Sequence, residues 1–311
     1  MSVVNMSKQN ESQIIGKAVK YSDSQSQIFA DVANSQYAKA QDTQVIKGEK
    51  WRITVITDSL LRLEWSDDGE FADAPTQTII RRNFADNKAG NDDNASSDAN
   101  PGVQPKFSVR KNEDGWLEVE TEKLLLTYNC KPFSKEGLSI VVRGVPCTQF
   151  NTWHYGDACP GNLLGTFRTL DQANGPVKLG TGILSRDGWS VLDDSATCEI
   201  VPAEKVDGKP NPYGAWVQPR AQKVSEQDGR YKDLYFFGYG HRYIDAIRDF
   251  YRLTGSQPLL PRFALGNWWS RYYRYRQDEY LQLHNRFKGE GIPFSCLLYT
   301  SLMARGRRVD L

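Results

Sequence analysis

Two short acidic tracts and one aromatic tract hold the side chains of this 311-residue sequence best suited to chemistry. Asp187 lies in Ser185-Arg186-Asp187-Gly188-Trp189, and Asp194 in Asp193-Asp194-Ser195. A carboxylate accepts charge-assisted hydrogen bonds at both oxygens, so Asp187 and Asp194 are candidates to hold ligand hydroxyls. Asp-Gly and Asp-Asp-Ser are also turn formers, which is the competing reading for both. Trp268, Trp269 and Arg271 form the third group. An indole face packs on C–H groups of a sugar ring, and a guanidinium holds a carboxylate or a hydroxyl. Core packing for the two tryptophans, and an ion pair for Arg271, are the plainer alternatives. The chain has 8 Trp and 15 Tyr, and aromatics reach 12%; this suits carbohydrate, although large β-sandwich cores use aromatics as freely.

Other chemistries find no support in the spacing. His154, His241 and His284 are far apart and read as structural, so no metal site is expected. Gly238-Tyr239-Gly240 has no following Lys-Ser/Thr helix and is not a phosphate loop, and no cofactor is expected. The five cysteines (130, 147, 159, 198, 296) are scattered and odd in number, which argues against a disulfide framework or zinc and for a reducing cytoplasm. The net charge of +1 gives no general attraction to nucleic acid or an anionic membrane, and no stretch has the roughly 18–20 apolar residues of a span. The N-terminus lacks the pattern of a signal peptide.

The elements that must position these residues are mostly strands. Residues 1–48 are polar and read as a poorly ordered lead-in. From Trp51, apolar and polar residues alternate (Ile53 and Val55; Leu61, Leu63 and Trp65), predicting half-buried antiparallel strands. Further strands are expected at 107–109, 117–119, 124–126, 138–141 and 233–238, with a mobile loop over 86–105. Together, residues 49–255 predict a β-sandwich. In Tyr243 to Leu253, apolar residues recur at spacings of three and four, predicting a helix that Gly255 ends. A buried strand is expected over 263–270, a helix over 278–288 and a second strand over 292–295, which is the opening unit of a parallel α/β fold over 256–295. A (β/α)8 barrel needs about 250 residues, far more than remain.

Three stretches in this order resemble glycoside hydrolase family 31. The first is Arg62-Leu63-Glu64-Trp65 with Phe71 to Gln77. The second is NLLGTFRTLD, LSRDGW and VLDDS between Asn162 and Ser195. The third is YIDAIRDFYRLTGSQPLLPRFALGNWWSRYYRY (243–275) followed by Gly289-Glu290-Gly291-Ile292-Pro293. The resemblance covers about residues 50–295. It implies a galactose-mutarotase-like β-sandwich followed by the start of a (β/α)8 TIM barrel. It also implies retaining hydrolysis of α-glucosides by two carboxylates, with an α-glucoside or oligosaccharide as partner. In the family the sandwich lends a loop to the substrate pocket, which bears on Asp187 and Asp194. Arg168 and Asp171 are read as a structural ion pair.

The family's catalytic aspartates lie on later barrel strands, so no residue here is assigned a catalytic role, and the chain alone is expected to be inactive. After Ser295 the sequence departs from the family. Cys296 to Ser301 (CLLYTS) resembles a translated sequencing-library adapter, so residues 296–311 are expected to be foreign to the protein and the native chain to be longer. The alternative function is a carbohydrate-binding sandwich without catalysis.

Overall fold

The structure is a computed structural model. It describes residues 32–33, 36–84, 104–145, 150–166, 173–202, 205–206, 209–210, 215–220, 231–255, 257, 260–271 and 273–297. The expected loop over 86–105 lies largely outside these residues, as do Arg168, Asp171 and most of the 296–311 tail.

The described residues are mostly β, in antiparallel sheets. The strands are β1 (Val45–Lys47), β2 (Trp51–Val55), β3 (Leu60–Ser66), β4 (Phe107–Lys111), β5 (Leu117–Thr121), β6 (Leu124–Tyr128), β7 (Leu138–Val142), β8 (Thr152–His154) and β9 (Ser190–Asp193). They continue with β10 (Glu199–Pro202), β11 (Lys205–Val206), β12 (Lys209–Pro210), β13 (Ala215–Gln218) and β14 (Tyr231–Phe237). One five-stranded sheet runs β1-β2-β3-β14-β9 and the other β4-β5-β6-β7-β8, while β10 with β13 and β11 with β12 form small ladders. The strand β14 returns from far along the chain to pair with β3 from Tyr231↔Ser66 to Phe237↔Leu60.

The alternation seen in the sequence fixes which faces meet. Ile53, Val55, Leu61, Leu63, Leu234 and Phe236 of the first sheet share one core with Val119, Leu124, Leu126, Leu138, Ile140, Val142 and Trp153 of the second. Side chains of successive strand residues point to opposite faces, so these apolar sets line the inner faces of a two-sheet sandwich. Trp153, Trp189 and Phe236 meet at its centre, with ring centroids 5.4–6.4 Å apart.

The opposite face of the first sheet departs from expectation. Every residue of β2 and β3 is buried, polar ones included. Arg52, Arg62, Glu64 and Asp233 therefore do not face water. They lie beneath covering segments and satisfy one another, since a charge leaves water only when it is paired. Residues 36–48, read as part of the polar lead-in, also join the sheet: β1 pairs with β2, and Ala38 and Ala40 are buried.

Helix α1 (Tyr243–Thr254) packs beside this face through Ala246 and Leu253, against Leu60, Ile79, Phe84, Tyr235 and Phe237. Leu253 O accepts from Ile80 N (3.0 Å) and Arg81 N (3.1 Å). Gly255 ends the helix at φ 86°, and a Cβ there would stand 2.8 Å from Ile80 Cδ1, so glycine is required on both counts.

The chain divides into two compact units, Met1–Ser256 and Gln257–Leu311. In the second, a 3-10 turn (Arg262–Leu265) leads to β15 (Trp268–Trp269), then helix α2 (Gln277–Gly289) and β16 (Cys296–Leu297), which pairs parallel with β15. The strand–helix–strand order matches expectation, but its extent does not. Strand geometry covers two residues rather than 263–270, and the second strand falls at 296–297 rather than 292–295. The first strand is not buried either: Phe263, Leu265 and Trp268 are 54%, 75% and 44% exposed. A parallel strand needs a layer on each face, and the described part of this unit supplies one helix.

Candidate functional site

Asp187 sits in the turn before β9 and organises the segment facing it. Its Oδ2 accepts from Gly161 N (2.7 Å) and lies 3.6 Å from Cys159 Sγ, while Arg186 N donates to Gly161 O (2.9 Å). A Cβ at Gly161 would fall 2.4 Å from Asp187 Oδ1, so the close approach needs glycine. The neighbouring loop is held from within. Asn162 Nδ2 donates to Gly182 O, and Asn162 Oδ1 accepts from Gly182 N and Leu164 N, each at 2.8 Å. These bonds hold Leu164 at φ 67°, in the left-handed region that non-glycine residues seldom adopt. Leu163 and Leu164 project into solvent. Asp187 itself is half-buried, so one carboxylate oxygen positions a loop while the group stays within reach of a ligand. Burial, with the nearby Asp187 charge, pushes the Cys159 thiol above its ordinary value, which makes it a packing group rather than a nucleophile.

Asp194 lies beyond the other end of β9. The four residues of β9, at ~3.3 Å each, put roughly 13 Å of strand between the two aspartates. Asp194 has no exposed surface. Its Oδ2 accepts from Arg220 Nη2 (2.8 Å) and Thr76 Oγ1 (2.9 Å), and burial raises its carboxyl above the usual range. Its Oδ2 is committed within the fold and its carboxylate does not reach solvent in this structure.

The remaining candidates belong to the second unit. Trp268 is part-exposed, stacked at 6.3 Å on Phe263, and its Nε1 donates to Phe263 O (2.8 Å). Trp269 turns the other way and meets Phe287 of α2 edge-on at 5.0 Å, with a buried Nε1 that has no partner among the described residues. The alternation expected of two successive strand residues is therefore present. Arg271 is exposed and lies over the Tyr273 ring at 5.0 Å.

The largest polar cluster escaped sequence reading altogether. Arg62 makes a two-pronged contact with Asp233 (Nε–Oδ1 and Nη2–Oδ2, both 2.7 Å), and Arg52 does the same with Glu64 (2.6 and 2.8 Å). Arg220 joins Asp233 to Asp194 at 2.8 Å each, and Arg82 Nε donates to Tyr235 (2.7 Å). Burial alone would raise the Asp233 carboxyl, but Arg62 and Arg220 hold it well below the ordinary range. Burial drives the Tyr231 and Tyr235 hydroxyls well above their ordinary range, so both act as neutral hydrogen-bonding groups. This cluster is sealed and positions strands. The only signal in the sequence was an Arg or Glu at every second position of strands otherwise dense in hydrophobes.

The histidines have local partners: Asp157 for His154, the Arg186 carbonyl for His241 and the Phe294 ring for His284. Among the described residues no group of three or more His, Cys, Asp or Glu could hold a metal, and no helix is long and apolar enough to cross a membrane.

No protein-family model matches the chain. An α-xylosidase of Saccharolobus solfataricus is 27% identical over 134 residues, which is 43% of this chain and 16% of that protein. Among solved structures, a Flavobacterium johnsoniae family 31 dextranase complexed with glucose is similar over 84% of this chain and 33% of its own, with 14% identity and TM-score 0.43. A family 31 α-xylosidase of Xanthomonas citri is similar over 81% and 44%, with 12% identity and TM-score 0.39. The chain thus spans about a sixth of the curated relative and less than half of each of these structures. The chain is similar to an α-xylosidase over 134 residues, and its three ordered stretches between residues 50 and 295 resemble glycoside hydrolase family 31.

Proposed function

We propose that these residues are the galactose-mutarotase-like sandwich and the opening βα segment of a (β/α)8 barrel in a longer retaining α-glycosidase that acts on α-glucosides. The α-xylosidase match carries this reading. That name, with the dextranase among the structural matches, makes α-xylosides and dextran the competing substrates to assay beside α-glucosides. In such an enzyme one carboxylate attacks the anomeric carbon, and a second protonates the departing oxygen and then activates water. Both are proposed to lie on barrel strands outside the 311 residues.

The five candidates then divide by role. Half-buried Asp187, part-exposed Trp268 and exposed Arg271 are proposed to meet substrate. Trp269, packed on α2, and Asp194, sealed by Arg220, are proposed to position their surroundings.

The test is the genomic reading frame beyond codon 295. It should continue into strands that carry two aspartates. The protein encoded by that frame should first release product with the α configuration from an aryl α-glucoside, as followed by proton NMR. A frame without them, or β product, overturns the proposal.

A second reading, a sandwich that binds carbohydrate without cleaving it, draws on residues 1–256 forming a compact unit of their own. Calorimetry of the chain with maltose and isomaltose separates the two: saturable binding by a protein with no catalytic extension favours the second.

A further inference from the structure

A second site lies on the sandwich unit, beside the turn that carries Asp187, and its argument does not depend on the hydrolase reading. Where β5 turns into β6, where β7 ends and where α1 begins, a cleft of about 400 Å³ opens, lined by Glu122, Lys123, Arg143, Tyr239, His241 and Arg242, with backbone of Gly144, Gly238 and Gly240. A volume of that order suits a small-molecule ligand.

Three cations, Lys123, Arg143 and Arg242, line it together with one carboxylate, Glu122. Lys123 and Arg143 are cross-strand neighbours, joined by a 2.8 Å bond from Arg143 N to Lys123 O just beyond the Leu124↔Val142 pair. Two cations side by side at a ladder end repel each other. Arg242 adds a third charge from the other sheet, where β14 leads into α1. Its effect is felt across the cleft: Lys123 chiefly, and Arg242 in smaller part, hold the Glu122 carboxyl below its ordinary range.

The counter-charges are exposed. Glu122 pairs with Lys123 at 2.5 Å with 74% of its side chain exposed, Glu120 pairs with Arg143 at 2.8 Å, and part-exposed Asp245 stands 3.5 Å from Arg242. Solvent-screened pairs of this kind yield readily to a stronger anion. Arg242 is anchored below by Ser59 and lies over the Tyr239 ring at 5.5 Å, which fixes its position at the cleft wall. His241 Nε2 donates to the Arg186 carbonyl (2.9 Å) from the same turn.

We infer that this cleft binds a phosphate monoester of a small, sugar-sized molecule, with Lys123, Arg143 and Arg242 holding the phosphate. Three cations from three separate elements suit a tetrahedral dianion better than a planar carboxylate, and the volume exceeds what phosphate alone fills.

The test is titration of the 311-residue chain at low salt with glucose 6-phosphate, inorganic phosphate and glucose, read by calorimetry. Glucose 6-phosphate should bind saturably, inorganic phosphate more weakly and glucose not at all. Changing Lys123→Gln and Arg143→Gln together should weaken glucose 6-phosphate at least tenfold while leaving the thermal midpoint within a few degrees. No saturable binding, equal binding of glucose, inorganic phosphate binding as tightly as the ester, or indifference to the double change would each overturn the inference. None of these outcomes bears on α-glycoside hydrolysis.

Discussion

At the scale of single residues, the feature with most consequence is Asp233. It has no exposed surface and receives Arg62 and Arg220 together. Removing one partner of a buried pair leaves the other charge uncompensated, which costs about 3–5 kcal/mol. Asp233→Asn should therefore lower unfolding free energy by about that amount, measured by urea denaturation at neutral pH. The pH dependence has a definite sign. A carboxyl held below its ordinary value stabilises the fold above the unfolded value of about 3.9, and that contribution fades as pH falls below it toward the folded value. The native chain should lose urea stability steeply below about pH 4, and Asp233→Asn less steeply; equal slopes would mean that the network does not hold Asp233 ionised. Asp187 makes a different prediction. Gly161→Ala places a methyl carbon within 2.4 Å of its carboxylate and should displace the loop. Loss of amide protection at Gly161 and Leu164, with β2 and β3 unchanged, would register that.

At the scale of elements, the sandwich was largely legible. The strands over 51–55 and 61–65 follow from alternation, those over 117–119, 124–126 and 138–141 from short apolar segments between turns, and α1 from its spacing of three and four. The sequence could not reveal that the polar face of β2 and β3 is covered. Arg62 meets Asp233 across 171 positions of chain and Arg220 reaches Asp194 across 26, so the partners that make burial tolerable are invisible in a local window. The strand expected over 263–270 was misjudged for a related reason. Its apolar composition suits burial, but burial requires layers, and the described part of that unit has one helix. Asp194 looked like a ligand contact because Asp-Asp-Ser after a strand suits a surface loop; the tertiary partner Arg220 turned it inward. Helix α1 depends on few contacts, of which Leu253 is the most enclosed. Leu253→Ala should cost about 2–5 kcal/mol, and hydrogen exchange should accelerate across 243–254 while the Trp153 core stays protected. Uniform loss across both sheets would instead tie α1 to the whole fold.

At the scale of the whole molecule, two units of unequal completeness share one chain. The sandwich unit has a continuous core across two five-stranded sheets. The described part of the second unit has a two-residue parallel pair, one helix and several large exposed apolar side chains, among them Leu265, Leu281 and Ile292. Regions with little buried apolar contact open at low free energy. Amides beyond Phe263 should therefore exchange far faster than those of β3, β6 and β14, and comparable protection would show that the second unit is a stable body in this chain. The central proposal is that the 311 residues hold part of the scaffold of a family 31 glycosidase and that its catalytic carboxylates lie elsewhere. Its most direct test is turnover of an aryl α-glucoside, with the aryl α-xyloside beside it, by the purified 311-residue chain. Release of the aryl group should not exceed that in buffer; turnover abolished by changing one carboxylate of this chain would contradict the claim.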